Sequence, residues 1–137
     1  RDTLYANKMN PLVNFPGQGL VVWGQKTLSP IASALDRVNV ARLVAYLRTQ
    51  FDPLARPFVF EPNDQKTRSN VKTLFDNFLA DIRQKRGVYD FVVVCDDTNN
   101  TPSRIDANEL WIDIAIEPTK AAEFIYIPIR LVNTGTL

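Results

Sequence analysis

Histidine is missing from the 137 residues, and cysteine occurs only once, as Cys95. The absence of histidine removes the commonest general base and the commonest metal ligand. One cysteine cannot form a disulfide framework or a thiolate metal cluster. Cys95 ends the apolar run 91–94, so we interpret it as a small buried hydrophobe rather than a nucleophile. We therefore expect that the protein is not an enzyme, with no catalytic residue, no cofactor and no metal.

An excess of charge of either sign is also lacking, because 16 Lys and Arg residues oppose 15 Asp and Glu residues. A net charge of +1 gives no field that would attract nucleic acid or an anionic membrane. No apolar run approaches the roughly 18 residues of a spanning helix. We expect neither nucleic acid nor a membrane among the partners. Met9 is the only methionine and the chain begins at Arg1, which suggests a fragment of a longer protein or a processed product.

Two runs near the end alternate between apolar and other side chains, at 109–118 (ELWIDIAIEP) and 123–132 (EFIYIPIRLV). This period of two predicts strands with one buried face. Pro128 in the second run cannot donate to a ladder and belongs on an edge. An apolar strand at this place either closes the sheet of its own domain or pairs with another chain.

Two helices precede these strands. The first is predicted from Asp36 to Phe51, with Pro53 as its stop, and the second from about Asp64 to Arg86, with Gly87 as the residue after its end. Both carry apolar side chains at helical spacing; the apolar positions are Val40, Leu43, Val44, Leu47 and Phe51 in the first, and Val71, Leu74, Phe75, Phe78, Leu79 and Ile82 in the second.

Three shorter segments complete the pattern. Leu20–Trp23 is predicted as a short buried strand, 58–60 as an extended segment, and Val88–Cys95 as a central strand buried on both faces. The fold class is α+β, with two main helices packed on a mostly antiparallel sheet of about four strands and with extended N- and C-terminal arms. We divide the chain into an arm or linker at 1–19, a core domain at 20–122 and a C-terminal strand or arm at 123–137.

Two segments resemble functional motifs only in part. Residues 19–27 fail as a phosphate-binding loop, because Gln25 separates Gly24 from Lys26 and the strand lies between the two glycines. The acidic loop 96–109 is rich in oxygen ligands for a hard cation, but it lacks the spacing of a calcium-binding loop. Asp and Asn are also ordinary turn residues, which is the interpretation we favour.

Cations outnumber carboxylates along the second helix. Composition alone favours a solvated face over a surface that docks to an acidic partner. The cations are Lys66, Arg68, Lys72, Arg83, Lys85 and Arg86.

Five motifs, in this order, resemble those of the C-terminal domain of contractile tail sheath proteins, found in phages and related injection machines. They are VVWGQKTL at 21–28, RVNVARL at 37–43, VFEPND at 59–64, VCDDTNN at 94–100 and AAEFI at 121–125. Val38 and Ala41 replace an Ile and an Arg of the family pattern, and the last motif lacks its Pro. The resemblance extends from residue 21 almost to the end of the chain.

The resemblance implies a structural subunit that polymerises in stacked rings around a tail tube and contracts to drive the tube through the target cell envelope. Its partners would be other sheath subunits, the tail tube protein, and baseplate and terminator proteins. It would be located in the virion tail after assembly in the host cytoplasm. In this family the domain lines the inner wall of the sheath, a helix touches the tube largely through charge, and terminal arms add strands to neighbouring subunits.

The resemblance assigns roles to two sets of residues. The six cations of the second helix become candidates for contact with the tube. The last alternating run becomes an inter-subunit strand that its own domain does not satisfy, made by Phe124, Ile125, Tyr126, Ile127, Ile129 and Leu131. The alternative hypothesis is a small intracellular domain that binds a metal or another ligand through the acidic loop 96–109.

Overall fold

The computed structural model describes residues 2–132. The elements, in chain order, are α1 (Asp2–Ala6), β1 (Leu12–Phe15), β2 (Gly19–Val22), α2 (Val38–Ala55), α3 (Gln65–Gln84), β3 (Val88–Val94), α4 (Pro102–Asp106) and β4 (Asp113–Pro118). Two main helices and four strands confirm the α+β class. The strands form two antiparallel pairs, β1 with β2 and β3 with β4, rather than one sheet.

Helix α3 forms the centre of the core, as its apolar stripe predicts. Its N-cap is Asp64, whose side chain accepts a hydrogen bond from the Thr67 amide at 2.7 Å. The stripe packs against α2, β3 and β4; the buried core cluster comprises Leu47, Val71, Phe75, Leu79, Ile82, Val88, Val93 and Cys95. This packing of one helical stripe against the inner face of a strand pair is the main source of apolar burial in the domain.

Helix α3 ends at Gln84, two residues before the predicted end at Arg86. Arg86, not Gly87, takes the left-handed conformation after the helix, with φ of 65°. The Gly87 amide then donates to the Ile82 carbonyl at 2.9 Å, which closes the last turn. Glycine is still required at 87, because a Cβ there would lie 2.8 Å from the Cγ2 atom of Ile82.

Helix α2 begins later and ends later than predicted. Asp36 belongs to a short 3₁₀ turn, and the N-cap position is Arg37, which makes no side-chain cap. Pro53 does not stop the helix, which continues to Ala55. Leu54 and Ala55 pack against the core cluster, so tertiary contacts offset the hydrogen bond that proline removes.

Three local expectations are wrong. Strand β3 is not central: among residues 2–132 it pairs with β4 alone, and Tyr89 and Val92 on its outer face are 56% and 57% exposed. Strand β2 is not buried, since Leu20 and Val22 are largely exposed. The segment 58–60 is not extended; a 3₁₀ turn occupies Arg56–Phe58, and Phe60 has a φ of 73°.

The two ends of the described chain differ from each other. Residues 2–19 contain α1 and β1, so this part is less extended than predicted, and its role as an arm stays a prediction. Residues 119–132 form neither helix nor strand. Residues 133–137 of the predicted C-terminal arm lie outside the described residues. No described helix combines the length and apolar character needed to cross a membrane.

Candidate functional site

The segment 124–132 exposes most of the surface of its apolar side chains. The six residues predicted to form an inter-subunit strand, Phe124, Ile125, Tyr126, Ile127, Ile129 and Leu131, are between 69% and 97% exposed. None of the nine residues hydrogen bonds to the rest of the described chain. Contiguous apolar surface of this kind is typical of a site for interaction with another molecule. The pairing with a neighbouring subunit itself stays a prediction.

Glu123 binds the start of this segment to the domain through three donors. The Tyr5 hydroxyl donates to Glu123 Oε2 at 2.6 Å, and Gln25 Nε2 and Arg37 Nε donate to Glu123 Oε1 at 3.2 Å and 2.5 Å. Arg37 also pairs with Asp36 at 3.0 Å. We call Tyr5, Gln25, Arg37 and Glu123 the Glu123 cluster. Its bonds join α1, the segment after β2, the residue before α2 and the segment after β4.

The electrostatics of the cluster favour the charged carboxylate. The bond from the Tyr5 hydroxyl is the main cause that lowers the pKa of Glu123, and the bond from Arg37 adds to it against the opposing effect of burial. Burial and then the bond to Glu123 raise the pKa of Tyr5 to about 12. Glu123 is therefore ionised, and Tyr5 is neutral and able to donate, at neutral pH.

Local sequence places the donors of the cluster. The Asn10 side chain accepts from the Lys26 amide at 2.8 Å and donates to the Lys26 carbonyl at 2.9 Å. These are the two bonds that the backbone of a neighbouring strand would make to Lys26. Lys26 Nζ donates to the Tyr5 carbonyl and lies 4.0 Å from the centre of the Tyr5 ring. Gly24 is needed beside them, since a Cβ would lie 2.7 Å from Asn10 Oδ1.

The sequence did not predict that these four residues form one cluster. Gln25, Arg37 and Glu123 each lie in one of the five short motifs, which was the available signal. Tyr5 lies before the first motif and carried no signal. The bonds join residues 86 to 118 positions apart in the chain, a proximity that no local pattern encodes.

A second polar cluster supports the loop after β3. Asn100 is 2% exposed, and its amide nitrogen donates to the carbonyls of Asp96 and Trp111 at 3.1 Å and 3.0 Å. Its oxygen accepts from the Trp111 amide at 2.8 Å. Asn99 Nδ2 also donates to the carbonyls at both ends of the loop, those of Val94 and Trp111. The two asparagine side chains thus bond to backbone groups of the loop that no strand ladder pairs.

Arg68, the sixth residue predicted for tube contact, belongs to this second cluster and is largely buried. Its side chain is 9% exposed and pairs with Asp97 at 2.5 Å. It also donates to the carbonyl and the side-chain oxygen of Asn63 at 3.1 Å and 2.9 Å. Arg68 lies three residues before Val71 and seven before Phe75, which places it on the apolar stripe of α3. This spacing was a sequence signal that Arg68 would be buried.

The other five predicted tube-contact residues are exposed on or just after α3. Two of them pair within the helix, Lys72 with Asp76 at 2.8 Å and Lys85 with Asp81 at 2.6 Å. Arg83 lies 3.5 Å from Asp90. Lys72 and Arg83 are about three turns apart and so share one side of α3, whereas Lys66 lies on another side. A role for Lys66, Lys72, Arg83, Lys85 and Arg86 in tube contact stays a prediction.

The acidic loop is organised as a turn. Asp96 Oδ1 accepts from the Thr98 amide at 2.8 Å, and this bond, after that from the Thr98 hydroxyl, lowers the pKa of Asp96. Within residues 2–132, no three side chains of His, Cys, Asp or Glu are grouped to hold a metal ion. Cys95 is 3% exposed, and burial raises the pKa of its thiol, which suits a packing role.

The chain is similar over almost its whole length to known sheath proteins. A family model described as the phage tail sheath C-terminal domain matches residues 32–131. The tail sheath protein of Vibrio phage KVP40 is 47% identical over 136 residues, which are 99% of this chain and 20% of that protein. The chain thus spans about one fifth of the length of the curated relatives that it matches.

Solved structures of contractile systems share the fold. The sheath complex of the extracellular contractile injection system PVC, in the contracted state, has a TM-score of 0.83 at 26% identity and covers 95% of this chain and 40% of that one. A chain of the anti-feeding prophage baseplate has a TM-score of 0.83 at 25% identity, covering 96% and 40%. With its matched motifs and α+β fold, the chain belongs to the phage tail sheath C-terminal domain family.

Proposed function

We propose that this chain is part of a structural subunit of a contractile tail sheath, which polymerises in stacked rings around a tail tube and contracts to drive the tube through the target cell envelope. The observation that carries the proposal is the exposed apolar segment 124–132, which starts at an anchored residue and pairs with no strand in the described chain. Family membership supplies the assembly in which such a segment finds a partner.

The segment 124–132 joins subunits by adding a strand to an open sheet edge of a neighbouring copy. Both strand pairs of this domain have only two strands, so each leaves open edges within the described chain. An added strand gains affinity from backbone hydrogen bonds and specificity from alternate side chains. Each backbone bond contributes about 0.5–1.5 kcal/mol net, so five or six residues form a strong but reversible connection.

Contraction needs no nucleotide in this proposal. Subunits change from one packing to another of lower free energy, as at other bistable interfaces, while the exchanged strands keep them linked. The remaining partners are the tube, baseplate and terminator proteins. A baseplate chain among the structural neighbours supports the baseplate contact. The place of action is the virion tail, after assembly in the host cytoplasm.

Electron microscopy of the purified full-length subunit tests the proposal against ligand binding through the loop 96–109. We expect long helical tubes or stacked rings, formed without nucleotide or divalent ions. A subunit that stays monomeric at high concentration, with or without tubes, and binds a divalent ion at the loop would contradict the sheath function.

Reversing the charges of Lys72, Arg83 and Arg86 to Glu together is expected to abolish sheath assembly on tubes. All three side chains are exposed outside the core stripe, so the fold should persist. Exposed charges act mainly on association rate and salt dependence, so wild-type assembly should also weaken as salt rises. The measurement is sedimentation of sheath with purified tubes, at several salt concentrations.

A matched control keeps the charge and exchanges Lys and Arg at the same three positions; it should assemble. If the reversed variant also assembled normally, the tube contact would lie elsewhere, and the exposed Arg42 and Arg48 of α2, together with Arg37, would be tested next.

A further inference from the structure

The Glu123 cluster connects both ends of the domain to one carboxylate. On the N-terminal side, Tyr5 belongs to α1 and Gln25 follows β2; on the C-terminal side, Glu123 immediately precedes the exposed segment. Before Glu123, Thr119 is bonded to the Arg86 carbonyl at 3.0 Å and to the Asn39 side chain at 3.1 Å, and the Lys120 amide lies 3.4 Å from the Tyr89 hydroxyl. Glu123 is thus the last residue before 124–132 with bonds to the rest of the described chain.

The chemistry of the cluster is specific for a carboxylate. Tyr5, Gln25 and Arg37 all donate, and an ionised carboxylate only accepts, so every contact is satisfied. A glutamine at 123 would keep the shape but would lose the charge that pairs with Arg37 and that strengthens the bond from the Tyr5 hydroxyl. The side chain is 17% exposed, so water compensates only partly for a lost bond.

The N-terminal side of the cluster is itself a rigid unit. Two backbone bonds close it, from the Met9 amide to the Leu4 carbonyl at 3.0 Å and from the Lys8 amide to the Tyr5 carbonyl at 3.1 Å, together with two bonds of the Asn10 side chain to Lys26. A displacement of Glu123 therefore acts on the whole unit of residues 2–10 and 24–26 rather than on one side chain.

We propose that Glu123 is a positioning residue that couples the N-terminal unit to the C-terminal segment, so that a load or displacement on 124–132 reaches residues 2–10 and 24–26 through one joint. The inference rests on the proposed function, in which 124–132 links subunits. A pull on the segment meets this joint first, before it reaches Thr119, which is bonded to Asn39, Arg86 and Gly87, and before it reaches β4.

Hydrogen exchange of the full-length subunit, before and after assembly, tests the coupling. In wild type, the Lys8, Met9 and Lys26 amides should exchange more slowly once 124–132 is bound in the sheath. In Glu123→Gln they should exchange about tenfold faster than in the free wild type, as expected for the loss of a charge-assisted bond. Assembly should no longer slow them.

Glu117→Gln is the matched control, because it removes the same charge six residues earlier, on the exposed side of β4. It should leave exchange at all three amides as in wild type. Protection of the α3 core amides in every variant shows that the fold is retained. Tyr5→Phe added to Glu123→Gln should give no further acceleration, since both changes open the same joint.

The outcomes separate the two levels of the proposal. Equal exchange in Glu123→Gln and Glu117→Gln, or assembly-dependent slowing that persists in Glu123→Gln, would overturn the coupling alone. Assembly that does not need residues 124–137 would overturn the strand exchange between subunits. Amide hydrogen exchange in the free subunit would still test whether Glu123 holds the N-terminal unit.

Discussion

Deleting residues 124–137 from the full-length subunit is expected to abolish sheath assembly and to leave this domain folded. The described part of the deleted segment contributes no hydrogen bond to the domain, and the core cluster lies between Leu47 and Cys95. Its apolar side chains are largely exposed in the described chain, so we expect their main contribution in contact with another molecule. Electron microscopy measures the assembly, and thermal unfolding followed by circular dichroism measures the fold.

A variant of unchanged length separates the backbone ladder from simple apolar contact. Ile125→Pro with Ile127→Pro keeps the segment apolar but removes two amide donors. It should assemble as poorly as the deletion if the segment adds as a strand. Continuous sheaths built by the truncated subunit would rule out strand exchange through this segment.

Replacing Asn100 by Ala is expected to lower the free energy of unfolding of this chain by about 3 kcal/mol. The change leaves the Trp111 amide without its partner and removes one of two donors from each of the carbonyls of Trp111 and Asp96. Each buried polar group left unpaired costs about 1–3 kcal/mol, and Asn99 still bonds to the Trp111 carbonyl, which limits the loss. Urea denaturation measures the change.

Asn77→Ala is the corresponding control. Asn77 is exposed on α3, and alanine is the better helix former, so stability should be unchanged or slightly higher. A loss of less than about 1 kcal/mol in Asn100→Ala would mean that water or a rearranged loop replaces the asparagine bonds.

Periodicity predicted the parts of the fold that local chemistry determines. The stripe of α3 and the capping by Asp64 follow from residues a few positions apart, and both are present. The alternation of β4 is present too, with Ile114 and Ile116 facing the core cluster. Pro53 misled the prediction, because a proline rule cannot include the contacts of Leu54 and Ala55 with the core.

Long-range pairing decided what the sequence could not predict. The three consecutive valines of β3 suggested burial on both faces, but Val92 faces away from α3 with no covering layer in the described chain. The sequence predicted Arg68 as an exposed cation, because it could not show that Asp97 and Asn63 bond to its guanidinium group. The donors to Glu123 come from three separate segments and were equally unpredictable.

The long sequence separation in the Glu123 cluster has a consequence for synthesis. A ribosome delivers Tyr5, Gln25 and Arg37 long before it delivers Glu123, and domains form as the chain emerges, from the N-terminus onward. The helix α3 and its packing can form from local contacts, which are fast, whereas this joint closes a loop of 118 residues and comes late. The N-terminal unit, which is already bonded to the backbone before α2, therefore gains its bonds to Glu123 only when the segment 124–132 is about to emerge. In the proposed sheath, a nascent subunit that has not yet reached Glu123 would lack the complete Glu123 cluster, and we expect it to join the assembly poorly.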